Sequence, residues 1–567
     1  MNDGRRSGAE IFLQMLAAMD VDHIFASPGS EWAPVWEHLA NPSLSSRLRY
    51  LSSRHEEVAV GMASGFAKTT GRFAAVMIHT TVGALHAAMA LRGALHERVP
   101  MVVFAGESVA FGEDLGPDPG PQWLRNLADV GGPARLLERC AKWSFALNAK
   151  ALLPSTIQRA CQIAMAPPRG PVLISLPMEF LFEDFGGYVP LPAAIPLPSA
   201  ADSGGIEELA KMLSTAKLPV IVSESAGRST VAVKRLVELA ELIGAPVVET
   251  RSPGCVNFPR THPLHGGFDP LEALKESDLV FLVSTVAPWH PSSASPKAGA
   301  KVVVLDEEPL RTELPHLGYR VDLCLTGCVE KSLDLLIQRL TVIGAPASSL
   351  RGEHWTREHE ERSQAWRRDA LARKDCKPID TRWVAFELNR LMPEDTIVVE
   401  ETITHRPAIL RCMNRLKAGS AFNGSVGGLG TGLGTALGIK VANPKSPVVA
   451  LIGDGTLHYN PALAAFGFAQ EHQAPILIVV FNNYGYLSQK MGIPEYNPDG
   501  WAVKSNTFVG TSITPSPDYA AIVRAFDGYG ETIEESTHVG PALERGLKAI
   551  ASGQLALLDV RLESVNH

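Results

Sequence analysis

This sequence predicts three doubly wound α/β domains in one chain, each built on a parallel sheet. Three observations carry that expectation. Short runs rich in Val, Ile and Leu recur along all 567 residues. Both faces of these runs are apolar, as strands covered by helices on two sides require. The runs alternate with helical stretches, the order that builds βαβ crossovers. Two segments interrupt the alternation and divide it into three blocks.

In chain order, HIFAS, RYLSS, FAAVMIH and MVVFAG are strands of the first block. LPVIVSES, APVVET, LVFLVS and KVVVLD belong to the second, and TIVVEE, PVVALIG, PILIVVF and LALLDV to the third. Residues 186–200, GGYVPLPAAIPLPSA, hold four prolines without helical or strand periodicity and read as a semi-rigid spacer. Residues 344–380 begin GAPASS and continue into HWTREHEERSQAWRRDALARKD, whose mixed charges predict a solvated surface helix. The expected domains are therefore 1–187, 200–343 and 378–567. The first and third, similar in size and strand count, hint at an old duplication.

Composition narrows the function. Lys plus Arg total 52 and Asp plus Glu 60, a net charge of −8 that offers no general basic field for nucleic acid. The seven cysteines are scattered, which reads as free thiols in a reducing compartment. Cys324 and Cys328 have no partner pair nearby and read as core residues rather than zinc ligands. MNDGRRSGAE lacks the apolar stretch of a signal peptide, and no run is long enough to span a bilayer. The expectation is a cytoplasmic protein without membrane or nucleic-acid partners.

The densest chemistry lies in PVVALIGDGTLHYNPALAAFGFAQEHQAPILIVVFNNYGY. A strand ends in Gly453-Asp454-Gly455, a helix follows, and a second strand ends in Asn482-Asn483-Tyr484-Gly485. One βαβ unit sets both strand ends on the same sheet edge, where ligands of open α/β sheets bind. Asp454, Asn483 and the carbonyl of Gly485 then offer oxygen ligands of low total charge, suited to Mg²⁺ (or Ca²⁺) alongside phosphate and water. Gly453 and Gly455 let the backbone approach a diphosphate at a helix N-terminus.

This segment resembles the signature of thiamine-diphosphate enzymes, GDG followed on the next strand end by NN. The resemblance implies thiamine diphosphate and Mg²⁺ as cofactors. It implies Asp454, Asn483 and Gly485 as metal ligands, with Gly453, Gly455 and Thr456 beside the diphosphate. It extends to RYLSSRHEEVAVGMASGFAKTTG, where an acid before a helix of small residues activates the cofactor through its aminopyrimidine ring; here that is Glu56. The alternative for either acid, an ordinary helix N-terminal carboxylate, fits Glu57 well. In IVVEETITHR, Glu401, Thr402, Ile403 and Thr404 resemble the loop that contacts diphosphate. In NGSVGGLGTGLGTALGIKVA, Gly427 and Gly428 resemble the loop beneath the cofactor and Leu429 its wedge residue. Read alone, this glycine run is a surface for close helix packing. Activating acid and metal motif fall in different domains, and the family joins them across a dimer interface, so a homodimer or homotetramer is implied.

Ser30 in FASPGSEWAP, His79 after AAVMI and His290 in VSTVAPWHP resemble the substrate-side residues of the benzoylformate-decarboxylase branch. Each also has an ordinary reading: a turn-forming serine, a structural histidine at a strand end, a loop histidine. GYLSQKMGIPEYNPDG departs from the decarboxylase pattern and is partly similar to acetolactate-synthase-like enzymes. The implied function is non-oxidative decarboxylation of a benzoylformate-like 2-keto acid. The alternatives are a carboligase or C–C lyase, and a non-catalytic cofactor-binding scaffold.

Overall fold

The computed structural model describes residues 6–107, 129–289, 294–314, 319–344, 349–424 and 427–565. The first sheet holds β1 (His23–Ser27), β2 (Arg49–Ser52), β3 (Ala75–Ile78), β4 (Met101–Glu107), β5 (Trp143–Ala146) and β6 (Pro171–Pro177), in the order β2-β1-β3-β4-β6-β5. The central sheet holds β7 (Pro219–Ser223), β8 (Val247–Glu249), β9 (Leu279–Val283), β10 (Lys301–Asp306) and β11 (Leu323–Thr326), in the order β11-β10-β9-β7-β8. The third holds β12 (Ile397–Glu401), β13 (Ala421–Asn423), β14 (Val448–Gly453), β15 (Leu477–Asn482), β16 (Tyr529–Ile533) and β17 (Ala556–Arg561), in the order β13-β12-β14-β15-β17-β16.

Within these sheets every neighbouring pair is parallel. The first and third sheets share one strand order, as the hint of duplication anticipates. Interior strands such as β4, β14 and β15 are buried almost throughout because helices cover both faces. The strands least visible as apolar runs, β5, β11 and β16, are sheet edges with half-exposed residues. No helix among the described residues is long and apolar enough to cross a membrane.

Two expectations change. The charged helix, Ser349–Leu371, is more than a solvated rod. His359 and Arg362 bond the carbonyl of His265, Trp366 stacks on Phe268 at 5.9 Å, and Asp369 pairs with Arg382 at 2.9 Å. The helix thus ties the central sheet to the third through a few residues spaced along one side. Cys324, read as a core residue, lies exposed on the edge strand β11, and Cys328 is half-buried.

The first and third domains share one hydrophobic core, in which Ala63 and Phe66 pack with Leu433 and Leu437. It forms where helix Glu56–Thr70 crosses helix Gly432–Ala442. Glycines make the approach possible. A Cβ at Gly65 would sit 2.0 Å from the carbonyl oxygen of Thr435, and one at Gly438 would sit 2.0 Å from that of Met62. A glycine inside a helix costs about 0.5–1 kcal/mol relative to alanine. That cost is offset by contacts that alanine would forbid.

The crossing predicts a sign. Gly65→Ala and Gly438→Ala should each lower the urea unfolding midpoint, by roughly 1–3 kcal/mol of stability. Helix propensity alone would raise it by about 1 kcal/mol. A higher midpoint in either variant would show that the crossing tolerates a methyl group.

Candidate active site

At the carboxyl edge of the first sheet, β2 leads into helix Glu56–Thr70, capped by His55, whose Nδ1 accepts from Glu57 N–H at 3.1 Å. Glu56 is buried, with Oε2 3.3 Å from Nδ1 of the exposed His86. The rings of His55 and His86 stack at 5.2 Å. Donor atoms of His55, Glu56 and His86 lie within 4.8 Å of one another, the spacing of a metal site. The cap argues against one: with Nδ1 accepting, neutral His55 carries its proton on Nε2 and has no lone pair to give. Glu57, read as an N-terminal acid facing the helix dipole, instead faces inward. It accepts from Ala90 N–H at 3.2 Å, and burial pushes its carboxyl up to about 8, with the Glu401 carboxyl adding to the rise.

Beside Glu56 stands His79, directly after β3. A Cβ on Gly83 would lie 3.0 Å from both Glu56 Oε1 and His79 Cβ, so the two side chains are neighbours over one small residue. Nδ1 of His79 is 3.0 and 2.9 Å from the two oxygens of Glu31. Ser30 precedes Glu31 on the turn after β1 and is exposed. The structure therefore gathers Ser30, His79 and Glu56. His290 lies outside the described residues.

At the carboxyl edge of the third sheet, β14 and β15 pair side by side, Gly453 opposite Phe481. The helix expected after GDG is broken into Asp454–Leu457 and Ala462–Glu471, with Pro461 at the break. Asp454 is buried and accepts from Gly485 N–H at 2.9 Å; burial pushes it up to about 6. The amide oxygen of Asn483 stands 2.8 Å from the carbonyl oxygen of Gly485 and 3.1 Å from Asp454 Oδ1. Three oxygens thus converge with no proton between them. Rotating the amide would relieve this, and so would a cation. The spacing suits both: 2.8 and 3.1 Å are hydrogen-bond distances for the rotated amide, and Mg²⁺, which holds oxygens at about 2.0–2.1 Å, sets octahedral neighbours about 2.9 Å apart.

His405 stands beside the amide of Asn483. Its Nδ2 lies 3.3 Å from His405 Nε2, and His405 Nδ1 lies 2.9 Å from Thr381 Oγ1. Desolvation pushes His405 down to about 4, so it is a neutral imidazole able to accept from the amide. Asn482 is committed elsewhere, donating to Asp559 at 2.9 Å. Ile403 and Tyr484, on the two loops that flank the convergence, have φ of +56° and +63°. Such strain at a β-branched residue persists only where surroundings enforce it.

The loop after β12 differs from expectation in its side chains. Glu401 is fully buried and points beneath the glycine loop. Its oxygens accept from the N–H groups of Gly430, Thr431 and Gly432 at 3.0–3.2 Å and from Asn460 Nδ2 at 3.0 Å. Burial pushes it up to about 7. The Thr402 hydroxyl donates to Glu400 at 2.6 Å. These side chains shape the loop. The glycine run divides in two. Gly427 and Gly430, at φ +65° and +115°, form the loop that carries Leu429, while Gly434 and Gly438 serve the helix crossing. Leu429 lines a cleft of about 890 Å³ with His55, Glu57, His86, Met89 and Tyr459. Gly453, Gly455 and Thr456 form the buried turn behind Asp454.

Sequence reading missed Glu31, Glu400, His405 and Asn460. Each sits within a quoted motif (PGSE, VEETITHR, GDGTLHYN), but only the fold shows which backbone groups they bond.

Comparison with known proteins covers the three domains. Residues 6–117 match the family model "Thiamine pyrophosphate enzyme, N-terminal TPP binding domain", 206–336 the central domain and 404–560 the C-terminal TPP binding domain. Benzoylformate decarboxylase of Pseudomonas aeruginosa is 27% identical, over 96% of this chain and 96% of its own length. The acetolactate synthase large subunit of Buchnera aphidicola is 24% identical, over 99% of this chain and 95% of its own. The structure of a 4-hydroxybenzoylformate decarboxylase from Rhodococcus jostii shares the fold with a TM-score of 0.79 at 22% identity, covering 99% of this chain and all of that one.

His405→Phe should weaken Mg²⁺ affinity, read by titrating tryptophan fluorescence at fixed thiamine diphosphate, by about 10–100-fold, the usual cost of losing a residue that orients a metal ligand. His405→Gln, which keeps an acceptor, should lose less. Equal affinity in His405→Phe and wild type would remove His405 from the site.

Proposed function

The chain belongs to the thiamine pyrophosphate enzyme family, and on that premise we propose that it decarboxylates a 2-keto acid without oxidation, with Mg²⁺ as the metal. One observation carries the reading: His79, held by a buried carboxylate, stands beside Glu56 at a single sheet edge. A cation and an exchangeable proton are what an anionic keto acid needs there.

Thiamine diphosphate, when bound, supplies the nucleophilic carbon that adds to the keto group and the sink for the electron pair that CO₂ leaves behind. The chain's own residues do the rest. Asp454, Asn483 and the Gly485 carbonyl hold Mg²⁺, and backbone groups around Gly453–Thr456 and Thr402–Thr404 hold the diphosphate. Leu429 shapes the bend of the cofactor and Gly427 receives its amino group. Glu56 exchanges a proton with the pyrimidine. His79 binds the substrate carboxylate with Ser30, and His290 shares with them the movement of protons. After CO₂ departs, His79 delivers a proton to the former keto carbon and an aldehyde leaves.

The two half-sites lie on different sheets of one chain, and a second copy completes the site in this reading. The cleft beside Leu429 supports a homodimer, or a homotetramer built from it, because Val82, Leu85, Tyr459 and Leu463 stand exposed as an apolar face around it. A carboligase is the second reading. It draws support from the acetolactate synthase relative and from helix Leu487–Tyr496, which follows Asn483, contains Pro494 and exposes Met491 and Tyr496.

Purified protein with Mg²⁺ and thiamine diphosphate should release CO₂ and benzaldehyde from benzoylformate, and Glu56→Gln should lose at least about 100-fold in rate. A ketol from pyruvate with an acceptor aldehyde would instead establish the carboligase. Tight cofactor binding with no product from either acid would sink the decarboxylase reading.

A further inference from the structure

The turn after β1 contains a carboxylate that the chemistry above leaves unused. Glu31 is 1% exposed, one of the most buried acids in the chain. Its position is set closely. Gly29 N–H donates to Oε1 at 3.2 Å. A Cβ on Gly106 of β4 would come within 2.4 Å of Glu31 Cγ, and one on Gly29 within 2.1 Å of His79 Nδ1. Both glycines therefore make room for the contact between the acid and the histidine ring. A buried carboxylate this far from water needs a compensating donor, and His79 Nδ1 is that donor, 2.9–3.0 Å from both oxygens.

Resting on the assignment of His79 to the substrate side, we propose that Glu31 is a positioning residue. Its carboxylate keeps a proton on His79 Nδ1, fixes the ring plane, and so presents Nε2 to the substrate carboxylate. Nε2 has no hydrogen-bond partner of its own among the described residues, and the side chain of His79 keeps 22% of its surface open. The arrangement gives the histidine one edge for the protein and one for the ligand.

Charged groups facing His79 come from three elements. Glu31 belongs to the turn after β1 and is its direct partner. Glu56, at the start of helix Glu56–Thr70, adds a second negative field, and both hold His79 above the usual imidazole range against the opposing effect of burial. Glu107, at the end of β4 beyond Gly106, accepts from the Ser175 hydroxyl and is itself pushed up to about 7 by burial and Glu179. At neutral pH that group is about half ionised, and it is not among the groups that shift His79.

The test is ¹⁵N-histidine NMR of the full-length apoprotein, with the His79 signal identified by its loss in His79→Gln. In wild type, the neutral form above its pKa should show the Nδ1–H tautomer, which free imidazole disfavours. In Glu31→Gln the His79 pKa should fall by about one unit or more, and Glu31→Asp should restore most of it. In the holoenzyme, Glu31→Gln should lower kcat/KM for the 2-keto acid by roughly 100-fold, mainly through KM, with the acid limb of the pH profile moving down with the His79 pKa. An Nε2–H tautomer in wild type, or an unchanged His79 pKa in folded Glu31→Gln, overturns the proposal. Because the tautomer is read in wild type without turnover, it decides the role of Glu31 even where benzoylformate and pyruvate both go unconsumed. That result would count against the decarboxylase reading alone.

Discussion

The crossing of helix Glu56–Thr70 over helix Gly432–Ala442 is the constraint on which the rest depends. Both helices begin at loops of the proposed site, Glu56 opening one and the Leu429 loop leading into the other. Both bring glycine to the contact, so backbone meets backbone with no side chain to adjust. Contact of this kind leaves no rotamer change to absorb a shift, so it holds the two helices, and the sheets they cover, in one arrangement. It also explains why one hydrophobic core runs through both outer domains, while the central domain keeps cores of its own.

Around that crossing the protein buries several carboxyl groups and compensates each differently. Glu401 accepts from three backbone N–H groups and an amide, in effect capping helix Gly432–Ala442 from below. Glu31 is answered by an imidazole. Glu400 is answered by Arg406 at 2.5 Å and by Thr402. Glu57 and Asp454 are answered by backbone N–H groups alone, and of the two Asp454 faces two further oxygens. The converging oxygens set Asp454 apart and support the proposal that a cation sits there, and burial accounts for its raised pKa.

Much of the fold is legible in the sequence for one physical reason. A strand covered on both sides must be apolar on both faces, so every interior strand that carries the site, β3, β12, β14 and β15, reads as an apolar run. Edge strands such as β16, YGETI, carry no such demand and do not announce themselves. The site is legible in a different way. Motif spacing points to Asp454, Asn483 and Glu56 because the proposed chemistry requires those residue types at strand and helix ends. It does not find Glu31, His405 or Asn460, whose work is to hold other groups. Nothing in the letters PGSE says that a glutamate will turn inward, since only β4 with Gly106 creates the space for it. The same limit explains Glu401, whose residue type suits a ligand loop but whose burial assigns it to the backbone of the glycine run.

The pairing of Glu31 with His79 has a consequence for the order of events in the proposed reaction. With substrate bound, the imidazolium stands between two carboxylates, one in the protein and one on the keto acid. Each such neighbour at about 4 Å and an effective dielectric near 20 is worth about 4 kcal/mol. The histidine is then a poor acid and holds its proton, which suits a group whose task is to bind an anion. When the carbon–carbon bond breaks, the substrate's negative charge leaves His79 as neutral CO₂. The imidazolium keeps only Glu31 and becomes a stronger acid by about the amount that the lost neighbour contributed. That is the moment at which the former keto carbon requires a proton. The step that creates the demand also releases the donor, so no rearrangement of His79 is needed between binding and protonation. A histidine without a buried partner would be less able to do both, because less of it would carry the charge before the anion arrived.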